Sequence, residues 1–210
     1  MSSPAERYAA ARRGTAHPTL SDFGADLGFS LDPFQDEACE ALDEGSGVLV
    51  CAPTGAGKTV VGEFAIHKAL SEGRKAFYTT PIKALSNQKY ADLVERYGRR
   101  SVGLLTGDNA VNGDAPVVVM TTEVLRNMLY ADSPAIDGLG YVVMDEVHYL
   151  ADRFRGAVWE EVIIHLPQEV TLVSLSATVS NAEEFGDWLV TVRGHTKVVV
   201  SEVRPVPLWQ

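Results

Sequence analysis

Apolar residues in this chain come mostly as short unbroken runs rather than at alternating positions, a pattern that predicts strands covered on both faces. The runs are Val48 to Cys51, Ala76 to Thr80, Ser101 to Leu105, Val117 to Thr121, Tyr141 to Met144, Thr171 to Leu175 and Lys197 to Val200. Helically spaced stretches separate many of them: Val60 to Ser71, Ala84 to Tyr97, Glu123 to Tyr130, Val158 to Leu166 and Ala182 to Leu189. A further helix is expected from Phe29 to Gly45, entered at Asp32-Pro33 and ended by Glu44-Gly45-Ser46-Gly47. This alternation predicts an α/β fold with a doubly wound, mostly parallel sheet, and such sheets place ligands at the carboxyl ends of their strands.

Composition narrows the class. A length of 210 residues with 46% hydrophobic content suits one domain with an ample core. No apolar run reaches the length of a membrane span and no secretory segment opens the chain, so a soluble, cytoplasmic, monomeric protein without membrane contact is expected. Residues 1–21, rich in Ala, Arg and Ser, read as a disordered tail and residues 22–208 as the domain. A net charge of −10 argues against indiscriminate coating of nucleic acid but leaves room for a local basic track. Cys39 and Cys51 lack metal-ligand spacing and read as small buried hydrophobes of a reducing compartment. Trp159 and Trp188 fall at apolar helix positions and read as core.

Chemistry enters at Ala52 to Thr59, APTGAGKT, which fits G-x-x-x-x-G-K-[ST] with alanine in the first glycine slot and follows a predicted strand. Glycines at 55 and 57 let successive backbone N–H groups curl around phosphate oxygens. Lys58 then supplies a point charge to the β and γ phosphates, Thr59 a hydroxyl to Mg²⁺, and the opening helix its positive dipole end. A second acidic site, Asp145-Glu146-Val147-His148, follows the strand ending at Met144. An aspartate there can hold Mg²⁺ through water, and the neighbouring glutamate can polarise an attacking water.

Other polar groups also follow strands. Thr79 to Lys89 combines hydroxyls, a proline turn, lysines and amides at a helix start, which suits a backbone phosphate as well as it suits a capped, solvated helix. Thr106-Gly107-Asp108 and Thr121-Thr122-Glu123 are turn or cap sequences when taken singly. Ser176 and Thr178, in Leu175-Ser176-Ala177-Thr178, are small enough to hydrogen-bond the carboxylate loop and sense a γ phosphate. The Gln35 amide can pair with adenine, or lie solvated on a helix face.

Taken in order, FSLDPFQ, APTGAGKT, TTPIKALSNQKY, TGD with TTEVLRNMLY, DEVH and SAT resemble the first RecA-like, P-loop NTPase domain of a superfamily-two DExH helicase. The stretches PIKALSNQKY and DEVHYLADRFRGAVWEEVIIHLP are similar to the superkiller-type branch, the exosome-associated RNA helicases and their bacterial HelY-like relatives. The likeness covers roughly Phe29 to Leu208. It implies that Phe29 and Gln35 hold the adenine of ATP, that Thr54, Gly55, Ala56, Gly57, Lys58 and Thr59 embrace its phosphates, and that Asp145 positions Mg²⁺ while Glu146 activates water. His148, Ser176 and Thr178 would couple nucleotide state to strand grip. Pro81, Lys83, Asn87, Gln88, Gly107, Thr122 and Arg126 would line a track for single-stranded RNA or DNA, mainly through sugar and phosphate.

Family members also carry a second RecA-like domain with an arginine finger, and this chain stops near Arg204 to Leu208, about where the crossover to it begins. The expectation is therefore ATP binding with very slow turnover and no unwinding by this chain alone, since arginine fingers contribute on the order of 10³ to 10⁵ in rate. The competing readings are a stand-alone nucleotide-binding module acting through a partner, and the motor domain of a DNA helicase or translocase.

Overall fold

The computed structural model describes residues 16–148, 156–177 and 182–203. In chain order the elements are α1 (Pro18–Asp26), α2 (Pro33–Asp43), β1 (Gly47–Cys51), α3 (Thr59–Ser71), β2 (Lys75–Thr80), α4 (Lys83–Tyr97), β3 (Val102–Thr106), β4 (Asn109–Val111), β5 (Val117–Thr121), α5 (Thr122–Tyr130), β6 (Leu139–Met144), α6 (Gly156–His165), β7 (Thr171–Ser176), α7 (Ala182–Arg193) and β8 (Thr196–Val200). The strands form one sheet in the order β4-β3-β5-β2-β6-β7-β1-β8. Every neighbouring pair is parallel except β3 with β4.

Alternate residues of each strand serve opposite layers, which explains the unbroken apolar runs. Val48, Val50, Tyr78, Val143 and Val173 face a layer that contains Phe23, Phe34, Leu42, Phe64 and Leu93 of α1 to α4. Leu49, Phe77, Met120, Val142 and Met144 face Leu125, Trp159, Ile163 and Leu189 of α5 to α7. Cys39 and Cys51 are free thiols buried in these layers. Trp159 is fully buried, whereas Trp188 packs at the margin beside Phe185.

One element keeps its expected entry and two depart from the sequence-based expectation. Helix α2 begins at Pro33, the entry expected from Asp32-Pro33, because proline lacks an N–H and suits the first helical position, while the residue before it is pushed to extended backbone; residues 29–32 of the expected stretch stay outside the helix. Asp32 adopts φ −71°, ψ 154°, as that rule requires. Helix α1 begins inside the stretch read as tail: Leu20 and Phe23 are buried, and the Phe23 ring lies 5.4 Å from Phe64 and 5.4 Å from His67, under the Arg96 guanidinium. The tail expectation for residues 1–15 lies outside the described residues. Strand β4 lies outside the expected strands: Asn109-Ala110-Val111 is too short to stand out as an apolar run, and all three residues are exposed at the sheet edge. Among the described residues, no helix is long and apolar enough to cross a membrane.

Candidate nucleotide and nucleic-acid site

The glycine-rich loop leaves β1 at Ala52 and enters α3 at Thr59. Gly55 and Gly57 take φ of +82° and +83°, the left-handed region that residues with a Cβ avoid. Lys58 is buried and folds over its own loop, its Nζ donating to the Ala52 carbonyl at 2.7 Å and the Pro53 carbonyl at 3.1 Å. Burial lowers its pKa, while Glu146 and Asp145 oppose that shift, which places the two carboxylates within electrostatic reach of the ammonium.

The acid pair follows β6. Asp145 extends the ladder by donating its N–H to the Thr79 carbonyl at 2.9 Å. Its Oδ2 accepts from the Tyr78 phenol at 2.7 Å and its Oδ1 from the Glu146 N–H at 2.9 Å. Burial, then the Asp145 carboxylate, pushes the Tyr78 phenol well above its usual range, so it stays a donor. Glu146 sits at φ +56°, sparsely populated for a residue with a side chain, and such strain clusters at working sites. Its Oε2 lies 3.2 Å from His148 Nδ1, the same ring nitrogen that the Ala177 N–H approaches at 3.5 Å. One nitrogen cannot donate to the first and accept from the second at once, and the shorter contact favours Glu146.

Strand β7 separates β6 from β1 and is tied to the start of the phosphate loop, because the Ser176 carbonyl accepts from the Ala52 N–H at 3.2 Å. Ser176 itself is buried. Thr178 lies outside the described residues. Thr59 and Asp145, the expected metal-side pair, line one cavity of about 310 Å³ together with Gln88 and Lys89.

A second cavity, about 720 Å³, opens on the other side of the loop and is lined by Phe29, Gln35, Gly55, Ala56, Gly57 and Val200 among others. Phe29 is 55% exposed there. Gln35 is not a solvated surface amide: it is 4% exposed, accepts from the Asp32 N–H at 2.8 Å and donates to the Gly57 carbonyl at 3.0 Å. One amide N–H and one lone pair remain for a ligand.

The expected nucleic-acid residues divide into two groups. Lys83, Asn87, Gln88 and Gly107 lie at the carboxyl rim around the start of α4 and the turn after β3; a Cβ on Gly107 would stand 4.0 Å from Lys83 Cε. Lys83 Nζ pairs with Asp108 Oδ1 at 2.8 Å, and hydrogen bonds from Lys83 and Thr106 hold the Asp108 carboxyl below the usual range. Pro81 and Thr122, by contrast, are buried. Thr122 offers no side-chain surface to a strand, since its hydroxyl donates to the Thr80 carbonyl at 3.3 Å and ties β5 to β2. Arg126 is held by Asn127 and, at 3.6 Å, by Glu161 of α6. Sequence reasoning missed Tyr78, because a tyrosine inside an apolar strand run reads as packing, and only the fold shows its hydroxyl on Asp145; Lys89 and Asp108 fell within stretches it singled out, without roles of their own.

A parallel sheet with a lysine-bearing phosphate loop and an acidic pair on one rim defines a RecA-like P-loop NTPase domain. The DEAD/DEAH box helicase profile matches residues 32–185, and the chain belongs to that family. It is 75% identical over 191 residues to the probable helicase HelY of Mycobacterium tuberculosis, covering 91% of this chain and 21% of that protein. It is 52% identical to the chloroplastic DExH-box ATP-dependent RNA helicase DExH15 of Arabidopsis thaliana, covering 86% of this chain and 16% of that one. The chain thus spans about a fifth or less of the length of these relatives. The crystal structure of the DUF1998 helicase MrfA bound to DNA superposes with a TM-score of 0.71 over 88% of this chain and 29% of the other; at 19% identity that likeness speaks for the fold alone.

Proposed function

We propose that the chain is the ATP-binding motor domain of an ATP-dependent RNA helicase, binding Mg-ATP at the carboxyl rim of its sheet and a single-stranded backbone along α4 and the β3–β4 turn. The observation that carries this reading is that Thr59, the residue after Lys58, and Asp145, the residue before Glu146, line one cavity at the carboxyl rim. The donor set fits magnesium. Among the described residues no three His, Cys, Asp or Glu side chains cluster, so a cation here would be held as Mg²⁺ usually is, by one carboxylate with a hydroxyl, waters and phosphate oxygens. When bound, Mg²⁺ neutralises charge developing on the transferred phosphoryl group.

The remaining work falls to the chain. Lys58 exchanges the Ala52 and Pro53 carbonyls for phosphate oxygens, a charge-assisted replacement for neutral partners. Phe29 and the free half of the Gln35 amide face the base, and because the other half holds the Gly57 carbonyl, base recognition and loop position are linked. Glu146 takes the proton of the attacking water. His148 lies between Glu146 and Ala177, and in this reading Ser176 and Thr178 complete the coupling to strand grip. A second RecA-like domain supplies the arginine; among the described residues, neither rim cavity is lined by one.

Preference for RNA rests on relatives named as RNA helicases, while a track that touches sugar and phosphate also suits DNA. ATP hydrolysis by the complete protein, measured with matched RNA and DNA single strands, tests this. Stimulation by RNA well beyond DNA supports the reading, equal stimulation replaces it with a DNA-capable translocase, and no stimulation by either favours a nucleotide module working through a protein partner.

A further inference from the structure

Tyr78 sits in β2, next to the strand that carries the acid pair, and is fully buried on the α3–α4 face. Packing alone would be served by phenylalanine, as at the adjacent Phe77 on the opposite face. The hydroxyl adds a polar atom at full burial, which is costly unless bonded, and it is bonded to Asp145 Oδ2 at 2.7 Å. Two helices grip the ring. Helix α3 descends on it at Gly62, where a methyl group would stand 3.1 Å from Tyr78 Cε2. From α4, Lys89 Nζ lies 5.3 Å from the ring centroid and 3.8 Å from Glu63 of α3. Lys89 also lines the cavity shared by Thr59, Gln88 and Asp145.

We propose that Tyr78 is a positioning residue: its phenol sets the orientation of the Asp145 carboxylate, and Lys89, seated on its ring, makes that orientation depend on the placement of α4, the helix carrying Asn87 and Gln88. The inference rests on the motor reading above. With Oδ1 tied to the Glu146 N–H and Oδ2 to the phenol, the lone pairs left for a cation point in directions that the two hydrogen bonds determine. A strand engaging α4 reaches the cation side of the site through Lys89 and Tyr78 without touching nucleotide.

The test follows binding of a fluorescent ATP analogue to the complete protein as Mg²⁺ is added. Tyr78→Phe keeps the ring and removes the O–H; the Mg²⁺ needed for half-maximal tightening rises about tenfold, the usual effect of losing a hydrogen bond behind a metal ligand, while affinity without Mg²⁺ is unchanged. A merely structural role would weaken both. An unchanged Mg²⁺ requirement, with Lys58→Ala still weakening nucleotide binding, overturns the role of Tyr78 and leaves the motor reading standing. If Lys58→Ala binds like the parent protein, both fall. Lys89→Met leaves β2 intact and decides the matter should Tyr78→Phe fail to fold. Single-stranded RNA lowers the Mg²⁺ requirement of the parent protein and not of Lys89→Met; equal lowering in the two, or none in the parent, overturns the link through α4.

Discussion

The two halves of the carboxyl rim are built differently. On the side proposed for nucleotide, three polar groups are anchored: Lys58 on Ala52 and Pro53, Gln35 on Asp32 and Gly57, Asp145 on Tyr78 and its own loop. On the side proposed for nucleic acid Asn87 and Gln88 are exposed, and Lys83 is held by an ion pair whose members are 53% and 69% exposed. Surface pairs of that kind contribute little, on the order of 0–1 kcal/mol. The contrast suits two tasks: a small ligand with localised charge needs groups fixed before it arrives, whereas a strand of any sequence needs groups that yield along a backbone.

If that contrast is real, changes on the anchored side should affect folding and ligand together, and changes on the other side should affect the ligand alone. The largest effect is expected for Gln35→Ala, which leaves the Asp32 N–H and the Gly57 carbonyl without their partner and should cost about 1–3 kcal/mol in denaturant unfolding, with weaker nucleotide binding alongside. Intact stability would break the claim that the amide is a structural tie. Gly57→Ala comes next: the left-handed backbone costs a residue with a Cβ roughly 1–2 kcal/mol, and the added methyl would meet Gln35 Nε2 at 2.7 Å. Equilibrium unfolding and nucleotide titration should fall in step.

On the exposed side, Lys83→Ala should leave stability within about 0.5 kcal/mol and lower the salt dependence of single-strand binding by about 0.7 in log–log slope, one phosphate contact. An unaltered slope would remove Lys83 from the track. The smallest effect belongs to Asp108→Asn, which frees Lys83 from its carboxylate partner and should tighten single-strand binding by about twofold, within the modest worth of an exposed ion pair. Weaker binding would instead mean that the pair is needed to hold the β3–β4 turn in place.

Much of the phosphate-loop half of the rim was legible as structure because local chemistry decides it. Val117 to Thr121, β-branched at every position but Met120, is buried on both faces and read correctly to the residue. The phosphate loop and the acids after β6 are contiguous in sequence, and the parallel topology brings such segments to one rim. What stayed hidden depends on neighbours far along the chain. Helix α1 has only Leu20 and Phe23 to bury, and the rings that receive Phe23 arrive with α3. Thr122 reads as a polar residue at a helix start, yet β2 runs beside it and takes its hydroxyl. Tyr78 shows the same limit, since one O–H in a β strand becomes informative only when the adjacent strand places a carboxylate 2.7 Å away.

Calorimetric titration of Mg-ATP into the protein and its Lys58→Ala variant tests the central claim most directly. Losing a buried, charge-assisted contact of about 1.5–3 kcal/mol should weaken binding by roughly tenfold to more than a hundredfold, and the melting temperature should fall alongside by too little to account for that loss. Equal affinity in the two proteins would contradict the account, because the ammonium now held by the Ala52 and Pro53 carbonyls would then not turn to a triphosphate.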